Sequence, residues 1–272
     1  MLSTVLYVLF GFVVGVYGTL VGAGGGFLVV PFLLLVKHFS PAEAAGTSLV
    51  VVFLNALSGT VAYARQKRID YKSGLWFAAA ALPGSLLGAY GVKLLTQRSF
   101  HLAVGILLGL IAIILLWRPH GALAGAKVRA VKGGGGLLPV HRRIEDAEGQ
   151  VFEYRYDRAI GLALSFVVGF LSSLLGIGGG IIHVPALVLL LAFPPHISTA
   201  TSHFILAITA GTGALSHLAL GDVRVGAGLA MGAGAVLGAP MGAKLSQRTR
   251  GVWILRGLAL ALLAVGIRLI LQ

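Results

Sequence analysis

The chain has 272 residues, 57% of them hydrophobic and 11% charged, with a formal net charge of +13. Several apolar runs approach the roughly 20 residues that span a bilayer, which excludes a soluble globular domain and indicates an integral membrane protein. The basic residues flank those runs and fill one linker, a pattern of membrane topology rather than of nucleic-acid binding, and the absence of cysteine excludes disulfides and thiolate chemistry.

The first apolar segment covers 2–21. Met1-Leu2-Ser3-Thr4 has no basic region ahead of it, so a spanning segment is expected rather than a signal peptide. Gly22-Ala23-Gly24-Gly25-Gly26 then interrupts the apolar sequence. Each glycine weakens a helix by about 1 kcal/mol relative to alanine and permits positive φ, so a broken helix is predicted. The next segment, 27–37, is short, and both a full crossing and a re-entrant path are open to it. Ser40-Pro41-Ala42-Glu43 opens the third segment, 42–64, with a cap, a first-turn proline and the acid of a capping box. Segments 73–95 and 99–117 complete the first half. A polar, glycine-rich stretch, 118–157, reads as a tether containing Lys132-Gly133-Gly134-Gly135-Gly136. Val151-Phe152-Glu153-Tyr154-Arg155-Tyr156 alternates and could form a short strand.

The second half, 158–272, repeats the first at a constant offset of 154 residues. Gly22, Gly24, Gly25 and Gly26 return as Gly176, Gly178, Gly179 and Gly180. Pro31 returns as Pro185, Thr47-Ser48 as Thr201-Ser202, and Gly84 and Gly88 as Gly238 and Gly242. The expected organisation is a first transmembrane repeat at 1–117, a linker at 118–157 and a second repeat at 158–272. An odd number of crossings per half predicts inversion of the second repeat. The charges agree, because 16 of the 21 Lys and Arg fall on the linker side if every segment crosses. The positive-inside rule then makes the linker cytoplasmic. The predicted fold is an all-α polytopic membrane protein of two inverted repeats, about five hydrophobic segments each, with helices broken at the paired glycine runs.

The eight acidic residues all fall at segment ends, in loops or in the linker. Without a carboxylate in mid-span, a neutral or anionic substrate is favoured over a cation. A short helix starting after Gly26 or Gly180 aims its free N–H groups and positive dipole end into the break. Two inverted copies would bring two such ends together and form an anion site from backbone alone. Close helix packing is the competing role for these glycines. Thr47, Ser48, Thr201 and Ser202 could donate to anion oxygens, or could cap helices and bond between them. His183 and His203 stand where the first half has Val29 and Leu49, and His217 stands opposite Tyr63. They are candidate donors to an anion, with a satisfied structural histidine as the alternative. The glycine runs lack the spacing of a nucleotide loop. No metal-ligand spacing and no nucleophile–His–carboxylate set occur in the spans, so no metal, cofactor or enzymatic activity is expected.

The duplicated Gly-x-Gly-Gly-Gly at 22–26 and 176–180, the proline five residues on and the later Thr-Ser pair resemble the sulfite exporter TauE/SafE family. The resemblance covers both halves. It implies a multi-pass transporter of the cell membrane that moves small sulfur-containing or organic anions, such as sulfite, sulfoacetate or thiosulfate, commonly outward. The expected mechanism is alternating access around Gly22, Gly24, Gly25, Gly26, Thr47, Ser48, Gly176, Gly178, Gly179, Gly180, His183, Thr201, Ser202 and His203. A coupling proton is conceivable through His183 or His203, but uncoupled export suffices. A passive anion channel, a membrane-embedded enzyme and a non-transporting subunit are the other readings. They differ in saturation, in chemical change of the substrate and in whether a substrate stabilises the protein.

Overall fold

A computed structural model describes residues 2–117, 137–248 and 252–271. In the first half the described residues form α1 (Leu2–Val21), α2 (Gly26–Leu35), α3 (Pro41–Arg65), α4 (Tyr71–Gly91) and α5 (Gln97–Trp117). A hairpin follows, β1 (Pro139–Glu145) and β2 (Val151–Asp157). The second half forms α6 (Arg158–Leu175), α7 (Gly180–Leu190), α8 (Pro195–Ala219), α9 (Val225–Arg248) and α10 (Val252–Ile270). Among the described residues, five stretches are long and apolar enough to cross a bilayer by themselves: Thr4–Val21, Pro41–Arg65, Tyr71–Leu94, Arg158–Leu175 and Val225–Ser246. The chain is thus an all-α polytopic membrane protein, with one small hairpin among the described residues.

The helix starts follow from local chemistry. The Ser40 hydroxyl accepts from the Glu43 N–H while the Glu43 carboxylate accepts from the Ser40 N–H, closing the predicted capping box ahead of Pro41. Asp70 caps α4 by accepting from Ser73 N–H, and Asp157 caps α6 by accepting from Ala159 N–H. The glycine runs end α1 and α6 in the left-handed region, with φ of 80° at Gly22 and 68° at Gly176. The Ala23 N–H reaches back 2.8 Å to the Gly18 carbonyl, closing the end of α1. At 10 and 11 residues, α2 and α7 are only about 15 Å long, half the hydrocarbon thickness.

Small residues set the helix pairs. α1 lies on α9 in the same direction, Gly11 against the Met231 backbone and Gly15 against that of Ala235. The equivalent pair, α4 on α6, repeats this with Gly84 on Phe166 and Gly88 on Phe170. α3 and α8 cross antiparallel through the middle of the molecule. Gly46 meets His217, Leu49 meets Gly213 and His203 meets Gly59. α5 and α10 meet at Gly105 and Gly266. Glycine at these contacts lets backbones approach closely where lipid supplies no hydrophobic drive for association.

The expected tether includes more than one strand. β2 forms where the alternation predicts it, and β1 pairs with it antiparallel, Val140 opposite Tyr156 and Arg142 opposite Tyr154. The buried face of β2, Phe152, Tyr154 and Tyr156, packs with Phe77, Leu187, Leu191, Phe193 and Ile197. The hairpin therefore covers one end of α4, α7 and α8. Arg68 of the α3–α4 loop bonds Asp146 of the hairpin turn, which puts that loop and the linker on the same face. Arg224 with Glu43, and Lys93 with Asp222, pair elsewhere, among the α2–α3, α4–α5 and α8–α9 connections.

Candidate substrate site at the paired helix breaks

The two glycine runs meet backbone to backbone in the interior. A Cβ on Gly26 would lie 2.7 Å from the Gly176 carbonyl oxygen, and one on Gly180 would lie 2.2 Å from the Gly22 carbonyl oxygen. Because Gly26 and Gly180 are equivalent, as are Gly22 and Gly176, one contact is the image of the other. Both packing and broken-helix roles are therefore realised by the same residues. α2 and α7 begin at Gly26 and Gly180; the Leu28 and Ile182 N–H groups return to the Gly25 and Gly179 carbonyls at 3.0 and 3.1 Å, which leaves the N–H groups of Gly26, Phe27, Gly180 and Ile181 at this junction without an intrahelical acceptor. The first turns of two short helices thus stand beside each other in a buried region.

The serines and threonines divide. Ser48 donates to the Gly176 carbonyl at 2.7 Å and Ser202 to the Gly22 carbonyl at 3.3 Å, so each serine holds the break of the opposite half. Both are fully buried. Thr47 and Thr201 face away from the breaks. Their hydroxyls accept from the backbone N–H of Arg224 and Asp70, each at 3.0 Å, and fix the starts of α9 and α4. Tyr63 and His217, equivalent in sequence, do equivalent work: Tyr63 donates to the Thr19 carbonyl at 2.8 Å, and His217 Nε2 lies 3.1 Å from the Ser173 carbonyl.

The two halves part company beside the glycines. Asn55 donates to the Gly24 carbonyl at 2.9 Å and accepts from Thr19 at 3.0 Å, filling the first-half side. Its equivalent is the smaller Thr209, which turns its hydroxyl back to the Ile205 carbonyl. Ser173, the equivalent of Thr19, is left with a buried hydroxyl that has no partner. A narrow crevice remains there, lined by Ser172, Gly179, Gly180, His183, Leu206 and Thr209, with no space for a water molecule. His183 Nε2 is 3.0 Å from Ser165 Oγ, and its ring lies near Phe77. His203 is on the other side of the junction, 3.3 Å from Thr19 Oγ1 and edge-on to Tyr63. The structure thus gathers the eight glycines, Ser48, Ser202, His183 and His203 around the breaks and places Thr47 and Thr201 elsewhere.

Ser172 and Ser173 are polar residues around the breaks that motif reading does not single out. Their offset mates, Gly18 and Thr19, differ in size, and that difference was the available signal. Among the described residues no group of three His, Asp or Glu side chains could hold a metal ion. The site's resources are backbone N–H groups, hydroxyls and imidazoles, which suit a small oxyanion.

This fold and site define a class: polytopic helical membrane proteins with paired helix breaks at the centre, an arrangement used by secondary transporters. Residues 7–269 match the family model described as "Sulfite exporter TauE/SafE", and the chain belongs to that family of membrane transporters. It is 38% identical to "Probable membrane transporter protein YunE" of Bacillus subtilis, over all of this chain and 98% of the relative. A "Probable membrane transporter protein" of Methanocaldococcus jannaschii is 28% identical over 89% of this chain and 86% of its own length. "Sulfite exporter TauE/SafE family protein 6" of Arabidopsis thaliana is 33% identical over 29% of this chain and 18% of its own length. No solved structure matches significantly.

Proposed function

We propose that the chain exports a small sulfur oxyanion or organosulfonate anion across the cell membrane, by alternating access around the paired breaks. The observation that carries this reading is the junction itself, where two first turns meet with the N–H groups of Gly26, Phe27, Gly180 and Ile181 free of intrahelical acceptors, beside a narrow crevice that holds Ser172, His183 and Thr209 and no carboxylate. Membership of the family and the printed name of the Arabidopsis relative favour a sulfite-like anion. The protein acts as a transporter and not as an enzyme, with 1–117 and 158–272 as two inverted repeats and 118–157 as a cytoplasmic linker. The antiparallel crossing of the equivalent helices α3 and α8 supports inversion, and the Arg- and Lys-rich hairpin face supports that orientation. Outward movement of an anion from a negative interior gains about 2.3 kcal/mol per charge per 100 mV, so no coupling ion is required. The crevice has no room for water, which favours a gated carrier over an open channel.

The test is thermal stability of the purified protein against sulfite, sulfate, thiosulfate, sulfoacetate and chloride, at matched ionic strength. Selective, saturable stabilisation is expected, about 2.7 kcal/mol at a hundred times Kd. It should be lost in Ser172→Val, which blocks the crevice, and kept in a variant altered only at the hairpin face. A response equal for every anion, or unchanged by Ser172→Val, contradicts the reading.

A further inference from the structure

Between the hairpin and the first turns of α4 and α6 lies a second cavity, of about 330 Å³. Its lining includes Lys72, Arg142, Arg158, Ser73, Tyr156 and Trp76. Three cations face one space, and only one is neutralised. Arg142 is committed to the buried carboxylate of Asp70 through Nε and Nη2. Among the described residues Lys72 and Arg158 make no ion pair, and the buried Arg158 Nε has no hydrogen-bond acceptor. The Arg158 guanidinium is held 5.3 Å from the centroid of the Trp76 ring, which fixes the cation at the wall. Both Lys72 and Arg158 sit in the first turn of a helix, where the dipole adds to the attraction for an anion. The Tyr156 hydroxyl, 2.6 Å from Ser73 Oγ, adds a polar atom to the inner wall. Leu75 and Trp76 of the lining are also more than half exposed, on a segment apolar enough to span the bilayer.

We propose that this cavity is an oxyanion site distinct from the helix breaks, taking a phosphate-class group between Lys72 and Arg158. Two sources share that chemistry: the headgroup phosphate of an anionic phospholipid, with its chains beside Leu75 and Trp76, and a free inorganic oxyanion. Arg with an unused donor and Lys as a point charge are the usual partners of such groups. A bound anion would tie the hairpin to α4 and α6. The inference does not depend on what the breaks transport.

The experiment uses the full chain in nanodiscs. One arm has phosphatidylcholine alone with inorganic phosphate or sulfate titrated against chloride at equal ionic strength. The other replaces a fraction of the lipid with phosphatidylglycerol. Thermal stability and native mass spectrometry are read for wild type, for Lys72→Gln with Arg158→Gln, for the conservative Lys72→Arg with Arg158→Lys, and for Lys93→Gln as a control. Saturable binding by wild type is expected in at least one arm. The Gln pair should weaken it at least tenfold, and the conservative pair and Lys93→Gln should retain it. Binding only in the phosphatidylglycerol arm assigns the headgroup, and binding in the first arm assigns a free oxyanion. Should the Gln pair fail to fold, single Lys72→Gln is read by mass spectrometry for loss of the adduct. No saturable binding in either arm, or equal binding after neutralisation, overturns the proposal. Because Ser172→Val leaves this cavity intact, failure of the transport reading and failure of this one are separable.

Discussion

At the scale of single residues, the breaks are held by hydroxyl and amide groups that satisfy exposed carbonyls. Ser48→Ala would leave the buried Gly176 carbonyl without its 2.7 Å donor, at a cost of about 1–3 kcal/mol. Ser202→Ala should cost less, because its bond to Gly22 is longer at 3.3 Å. Comparing denaturation midpoints of the two variants in one detergent checks this order, and equal effects would contradict it. Gly180→Ala should be worse than either, since its Cβ would meet the Gly22 carbonyl backbone that cannot swing aside. The sequence made the glycines and the Thr-Ser pairs legible by their repetition. It could not tell Ser48 from its neighbour Thr47, because adjacent helical positions point about 100° apart and only the packing partner decides which one faces the break.

At the scale of elements, the hairpin is latched to the helices through Asp70. Burial by itself would raise the Asp70 carboxyl, but hydrogen bonds from Arg142, Ser73 and Tyr154 outweigh it and hold it below the usual carboxylate range. Asp146 shows the same balance, with burial opposed by the Gln150 backbone and Arg68. A depressed folded-state pKa gives stability that is present above the unfolded value, about 3.9, and lost as pH falls through the folded one. Hydrogen-exchange protection across 139–157, taken relative to the intrinsic rate at each pH, should therefore be high at neutral pH and fall below about pH 4. Protection that stays flat through that range would show that the latch contributes nothing. Arg142→Ala should release the hairpin at neutral pH, at a cost on the order of 3 kcal/mol, because it strands the buried carboxylate. β2 was readable from its aromatic alternation. β1 keeps apolar residues on its inward face only at Val140 and Ile144, which pack against the aromatic cluster, and places Arg142 between them to pair with Asp70, which interrupts the apolar pattern. Asp70 itself reads as an ordinary helix cap, which it also is.

At the scale of the whole molecule, equivalent residues make exchanged contacts. α1 lies on α9 as α6 lies on α4, and the breaks clasp each other through mirrored glycine contacts. The constant offset made this duplication, and much of the interior, legible before any coordinates. What it hid is the departure from symmetry, where Asn55 bonds across one side while on the other Thr209 turns back to Ile205 and the Ser173 hydroxyl has no partner. A carrier with a narrow crevice on one side of the breaks and a filled opposite side should pass substrate along the second-half face, between α6, α7 and α8. The most direct measurement is efflux of labelled sulfite from proteoliposomes under an imposed inside-negative potential. Saturable efflux that rises with the potential, falls at least tenfold in Ser172→Val and is unchanged in Lys93→Gln is the expected result. Efflux no faster than from protein-free vesicles, or indifferent to Ser172→Val, would contradict transport through the paired breaks.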